Sequence, residues 1–154
     1  LAQLPKAYLW IAGDGKEEQA LKQQAAQLGI SNRVRFLGWR EDTPALLSAA
    51  DIFFCSSRHE PLGNIVLEAW AQGVPVVAAA SQGPSQLIED GKTGLLAPVD
   101  NAKELSRTIA RLLDDRSLGQ ELVGHAHAEF TDKYSEGPVV AAYQEFFEKI
   151  RQSS

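Results

Sequence analysis

Short apolar runs that alternate with helical patterns constrain the fold of this chain more than any other feature of the sequence. Five runs rich in β-forming residues predict strands at residues 8–12, 34–37, 52–55, 74–78 and 94–97. Most are apolar at consecutive positions, as expected for strands covered on both faces. The alternation predicts an α/β fold, namely a Rossmann-like, doubly wound parallel sheet with helices on both faces.

The helical patterns are predicted to begin and end at recognisable residues. Gly29 stands just past a helix over residues 16–28, and Gly73 just past one over residues 61–72 that begins with Pro61. From Asn101 onward the pattern is wholly helical. The last helix has a wide apolar face, and core packing is its expected role. This face comprises Val139, Val140, Tyr143, Phe146, Phe147 and Ile150.

Composition and charge narrow the class of protein. A length of 154 residues suits one domain, and the formal net charge of -5 disfavours binding to nucleic acid. Cys55 is the only cysteine, which favours a reducing compartment. No apolar run approaches the ~20 residues that span a bilayer. We therefore expect a cytoplasmic protein.

The segment from Ser56 to Ala69 is the strongest candidate for a functional site. It leaves a predicted strand, crosses a loop and starts a helix, and ligands of open parallel sheets bind beyond the carboxyl ends of strands. Gly63 would let a ligand approach the backbone amides of residues 62–65. Free amides and the helix dipole together predict an anion site, and Ser57 is a candidate phosphate contact.

Two carboxylates flank this predicted anion site. Glu60 lies before the helix and Glu68 lies eight positions later on it. Carboxylates accept hydrogen bonds from hydroxyl groups, so the pair could hold the two ends of a ligand whose middle is anionic. A nucleotide sugar has this layout. The alternative is that Glu60 caps the helix and Glu68 is a solvated surface residue.

Several short motifs in this order resemble the retaining glycosyltransferase family 4, whose members have the GT-B fold. They lie at residues 12–15, 34–39, 50–57, 73–77 and 91–96, with the Glu60 and Glu68 pair between them. The resemblance covers nearly the whole chain and implies the C-terminal, donor-binding half of a GT-B fold. It further implies a nucleoside-diphosphate sugar as donor substrate.

The resemblance also implies roles for individual residues. Glu60 would contact donor-sugar hydroxyls beside the reacting carbon and is the candidate catalytic residue, while Glu68 would hold the ribose hydroxyls. The amides that meet the donor sugar and diphosphate would belong to Leu62, Gly63, Asn64 and Ile65. Gly38 and Trp39 would lie in the loop that meets the base, although Trp39 could equally be an exposed packing residue.

The chain departs from the family pattern in two ways. The family usually has Gly-Gly-x-x-Glu where this chain has Gln82-Gly83-Pro84-Ser85-Gln86, so an amide replaces the acid at Gln86. An acceptor-binding N-terminal domain, and a first strand beside the one ending at Cys55, should precede Leu1. The arginine and lysine that neutralise the diphosphate would follow that strand. We therefore expect residues 1–154 to be a fragment, the donor-binding domain alone.

These inferences predict a retaining glycosyltransferase that is inactive without its acceptor domain. The predicted partners are a nucleotide-sugar donor, the preceding domain and a glycan, lipid or small-molecule acceptor, with peripheral membrane attachment through that domain left open. No metal or other cofactor is expected, because His125 and His127 are two apart on a helix and face different ways. Two alternatives are a non-catalytic nucleotide-sugar-binding module and a sugar-nucleotide epimerase of the same fold.

Overall fold

A computed structural model describes residues 1–152 of the chain, which separate into two compact units. The first unit comprises residues 1–46, and the second begins at Leu47. Each unit has its own parallel β-strands and its own hydrophobic core. We therefore describe the units separately.

The first unit is built on two parallel strands, β1 (Leu9–Ala12) and β2 (Val34–Gly38). Helix α1 (Glu18–Gln27) connects them, and a short 3-10 turn (Ser31–Arg33) precedes β2. Gly29 has the left-handed φ of 67° and ends α1 as predicted. The core packs Ala25 of α1 against Ile30 and Val34. Helix α2 (Thr43–Ser48) follows β2.

Arg33 fixes the segment that precedes β1. Its Nη1 donates hydrogen bonds to the carbonyl oxygens of Leu4 at 2.6 Å and Ala7 at 3.0 Å, and more weakly to that of Leu1 at 3.4 Å. Three backbone carbonyl groups from two consecutive turns thus share one guanidinium. Hydrogen bonds from a charged donor are worth more than neutral ones, so this side chain is a main stabiliser of the first unit.

We expect Arg33→Ala to lower the free energy of unfolding of the first unit by about 2 kcal/mol, since it removes charge-assisted bonds that are only partly replaced by water. Urea unfolding followed by circular dichroism measures this change. Arg35→Ala is the matched control, because Arg35 is exposed and, in the described part of the chain, donates only to the nearby carbonyls of Asn32 and Val34. Equal losses in both variants would contradict the special role of Arg33.

The second unit contains a three-stranded parallel sheet in the order β3-β4-β5 and five helices. The strands are β3 (Phe53–Cys55), β4 (Val76–Ala79) and β5 (Leu95–Ala97). The helices are α3 (Asn64–Ala71), α4 (Gln82–Leu87), α5 (Ala102–Asp114), α6 (Arg116–Lys133) and α7 (Glu136–Gln152). All three strands end at the same edge of the sheet because they are parallel.

Strand β4 lies at the centre of this sheet and is buried along its whole length. Val76 and Ala78 pack in a cluster with α3 and α6, whereas Val77 packs in a second cluster with α5 and α6. Successive side chains of a strand point to opposite faces, so both faces of β4 are covered. The predicted α/β class, with parallel strands and helices on both faces, is confirmed.

Two sequence-based expectations for the helices are wrong. Helix α3 begins at Asn64 rather than Pro61, because Gly63 adopts a left-handed φ of 75° that a helix cannot include. The apolar face of α7 does not pack in the core: its six large side chains are 37–62% exposed. Helices α3, α5 and α6 already cover both faces of the central strand β4.

All five predicted strands are present, each within two residues of its predicted limits. Cys55 ends β3 and is buried, as expected for a packing residue. Strand β3 forms one edge of the three-stranded sheet, and the strand expected beside it stays a prediction. Among residues 1–152, no helix is both long and apolar enough to cross a membrane.

Candidate functional site

The loop between β3 and α3, residues 56–63, lies at the edge where the strands of the second unit end. In open parallel sheets this edge is where ligands bind. The loop contains Glu60 and closes with the left-handed Gly63, which is the N-cap residue of α3. Chain direction and the conformation of one glycine therefore bring a carboxylate and a helix N-terminus together.

Glu60 is held by two hydrogen bonds, one to its side chain and one to its backbone. Its carboxylate Oε1 accepts from the amide of Gly63 at 3.1 Å, and its carbonyl oxygen accepts from the amide of Gly83 at 2.7 Å. Glu60 therefore bonds to the amide of the N-cap residue itself and not to an amide within α3, so it does not cap the helix. The other oxygen of the Glu60 carboxylate makes no hydrogen bond within residues 1–152, so it can still accept one from a ligand.

The N-terminus of α3 keeps open donors beside this carboxylate. No side chain caps the helix, and in the described part of the chain the amides of Asn64 and Ile65 have no hydrogen-bond partner. The expectation that all amides of residues 62–65 are free is wrong for Gly63, because Glu60 occupies its N–H. Two amides at the positive end of the helix dipole remain available to an anion.

The other candidate residues of the second unit lie on or near the same loop and helix. Glu68 is exposed on α3, while Val66, Ala69 and Trp70 face the core. Leu62 is 71% exposed at the loop tip, and Ser57 is half-buried just after β3. Their predicted contacts with a ligand stay predictions.

Gly38 and Trp39 belong to the first unit. Gly38 ends β2 with a left-handed φ of 65°, and Trp39 is 74% exposed. An indole this exposed has surface free to stack on a planar ligand. The base-binding role of both residues also stays a prediction.

An ion pair that sequence reasoning missed joins the loop after β3 to the loop after β5, at the edge where the strands end. Arg58, two residues before Glu60, donates through Nε to Asp100, which follows β5. This hydrogen bond raises the pKa of Arg58 above its ordinary value. Asp100 has a left-handed φ of 60°, unusual for a residue with a side chain. The only sequence indication was that both residues follow predicted strands.

Within residues 1–152, no group of three or more His, Cys, Asp and Glu side chains is placed to bind a metal ion. His127 is exposed, and its Nδ1 lies 3.3 Å from the carbonyl oxygen of Trp70. The prediction that no metal is required stays a prediction.

Comparison with known proteins identifies the family. The profile of the family described as glycosyl transferases group 1 matches residues 1–128. The chain is 43% identical, over 93% of its length, to the lipopolysaccharide core biosynthesis glycosyltransferase LpsE of Rhizobium meliloti, and covers 42% of that protein. The chain belongs to the group 1 glycosyl transferase family.

Solved structures agree on the fold. Anabaena HepE in complex with UDP is 33% identical and superposes with a TM-score of 0.89, over 98% of this chain and 43% of HepE. Sucrose-phosphate synthase from Thermosynechococcus elongatus, 24% identical, has the same fold with a TM-score of 0.89 over 99% of this chain and 41% of its own. The GT-B assignment is confirmed. The chain spans less than half the length of these relatives.

Proposed function

We propose that this chain is the donor-binding domain of a retaining glycosyltransferase and that its donor is a nucleoside-diphosphate sugar. The observation that carries the proposal is the N-terminus of α3, where the open amides of Asn64 and Ile65 lie beside the carboxylate of Glu60. Amides at a helix N-terminus suit a diphosphate, and a carboxylate suits sugar hydroxyls.

In this proposal the diphosphate lies on the open amides of Asn64 and Ile65, beside Leu62 and Gly63 and near Ser57. Glu60 holds the donor sugar and Glu68 holds the ribose hydroxyls. When the bond between the sugar and the diphosphate breaks, negative charge develops on the leaving diphosphate. Preorganised amides stabilise that charge without a metal ion, while Glu60 keeps the sugar oriented.

The relatives narrow the substrates we propose. HepE has been solved with UDP and with UDP-glucose, so a uridine diphosphate hexose is the first donor to test. LpsE and LpsD are named for lipopolysaccharide core biosynthesis, which favours a cell-surface glycan as acceptor. We further propose that an acceptor domain completes the enzyme and that the protein is cytoplasmic.

Calorimetric titration tests the donor proposal. We expect the chain to bind UDP and UDP-glucose more tightly than GDP, GDP-mannose, ADP and ADP-glucose, because a base site selects one ring shape. The same titrations on the full-length gene product, with the expected acceptor domain, show whether that domain strengthens binding. Absence of binding to every nucleotide in both proteins would contradict the proposal.

Amide chemical shifts locate the binding site. On addition of UDP, we expect the largest shift changes among helix N-termini at Asn64 and Ile65, because their N–H groups are open donors. The N-terminus of α5 is the matched control, since the side chain of Asn101 already accepts from the amide of Glu104 at 3.0 Å. Equal changes at both helices would contradict a specific site on α3.

A further inference from the structure

Two glycines, Gly63 in the loop before α3 and Gly83 in α4, lie in close contact with each other. Gly83, buried in the first turn of α4, donates its N–H to the carbonyl oxygen of Glu60. A Cβ on Gly83 would lie 2.5 Å from the nitrogen of Gly63 and 2.6 Å from both the Glu60 oxygen and the Leu62 carbonyl carbon. All three are backbone atoms, so the loop would have to move as a unit.

The two glycines are required for different reasons. Gly63 needs both its left-handed φ and open space, since a Cβ there would lie 2.8 Å from Leu87 Cδ1 and 3.2 Å from the carbonyl carbon of Gly83. The φ of Gly83 lies outside the left-handed range, and alanine has a better helix propensity than glycine. Only the close approach of the loop therefore demands glycine at position 83.

We infer that Gly83 is a positioning residue for donor binding. Helix α4 bears on the backbone of Glu60, Leu62 and Gly63, and these residues place both the Glu60 carboxylate and the start of α3. Binding groups must be held within roughly 0.5 Å of their working positions, and a Cβ in this contact displaces them further. Its effect on ligand binding rests on the proposed function above.

Gly83 contacts the loop of residues 60–63 through its backbone, unlike the polar residues of α4, which are exposed. Gln82 and Gln86 on the same short helix are exposed, whereas Gly83 and Pro84 are buried. The segment thus reaches the loop through a backbone surface and not through a polar side chain. Such a contact can fix the position of the loop backbone but brings no charged or polar side chain to the ligand.

The first experiment compares Gly83→Ala with Gly124→Ala. Gly124 lies within α6 with nothing within 4 Å of an added Cβ, so it controls for the same chemical change without a clash. In Gly83→Ala we expect hydrogen exchange of the Gly63 amide to accelerate about tenfold, because its bond to Glu60 is displaced. We expect exchange in Gly124→Ala to match that of the original chain.

The second readout is nucleotide affinity, measured by calorimetry at a temperature where circular dichroism shows every variant folded. We expect Gly83→Ala to bind UDP-glucose about tenfold more weakly, and to lose less affinity for UDP, since Glu60 is proposed to hold the sugar. A purely structural role would lower the melting temperature and leave the affinity ratio of the folded protein unchanged.

Leu87→Ala provides a second variant in case Gly83→Ala does not fold. It removes the α4 side chain nearest to Gly63 without overpacking, and we expect the same two changes at about threefold. Unchanged Gly63 exchange in the folded variants would overturn the inference. If the original chain binds no nucleotide, the proposed function fails, while Gly63 exchange still decides whether α4 positions the loop.

Discussion

Replacing Glu60 with glutamine is expected to weaken the binding of UDP-glucose by about tenfold to a hundredfold, the range that loss of a charge-assisted hydrogen bond produces. The glutamine oxygen can still accept from the amide of Gly63, so this hydrogen bond to the N-cap residue is retained. What is lost is the negative charge that strengthens hydrogen bonds from sugar hydroxyls. Affinity for UDP should change little.

Calorimetry with UDP and UDP-glucose measures both effects. Glu121→Gln is the matched control, because it makes the same charge change at an exposed position of α6. Glu60→Ala also removes the hydrogen bond to the Gly63 amide and should therefore also lower stability. Equal losses for UDP and UDP-glucose in Glu60→Gln would show that Glu60 does not hold the sugar. In the enzyme completed by the proposed acceptor domain, sugar transfer should fall at least as far as donor affinity.

The elements of the fold could be predicted from the sequence where burial determines which residues form a strand or a helix. Residues 76–79 are apolar at every position because helices cover both faces of β4, and such a run is recognisable without coordinates. Gly29 and Gly73 mark two helix ends because both adopt left-handed φ values of 67°. Burial of a strand and a left-handed φ at a helix end each depend on a few neighbouring residues, so the local sequence predicts them.

The errors arise where a local pattern has two physical solutions. Pro61 suits the first turn of a helix, but the left-handed Gly63 two residues later delays α3 to Asn64. The apolar periodicity of α7 shows that one face differs from the other, and it does not show what covers that face.

In the candidate site, too, contacts between residues close in the sequence could be predicted, whereas contacts between distant residues could not. The nearness of Glu60 to the start of α3 follows from three intervening residues, so the sequence could predict it. The contact of Gly83 with Glu60 joins residues 23 positions apart, and the Arg58–Asp100 pair joins residues 42 apart. No local periodicity encodes such contacts, because they depend on the order in which β3, β4 and β5 lie in the sheet.

Trp70→Ala is expected to lower the free energy of unfolding by about 3–5 kcal/mol, the range for truncating a buried aromatic side chain. Trp70 is 1% exposed and packs with α6, where its ring centroid lies 6.4 Å from that of Tyr134. It belongs to α3, the helix whose first amides form the candidate anion site. A cavity here therefore loosens the support of that site as well as the core.

Urea unfolding followed by circular dichroism measures the loss, and two tryptophan variants sharpen it. Trp70→Phe keeps an aromatic ring in the core and removes the indole Nε1, which is buried with no hydrogen-bond partner among residues 1–152. Its cost should therefore be only about 1 kcal/mol. Trp39→Ala truncates a side chain that is 74% exposed and should leave stability nearly unchanged. A loss in Trp70→Phe as large as in Trp70→Ala would mean that the indole N–H makes a stabilising contact and that burial of the ring is not the main source of the stability that Trp70 provides.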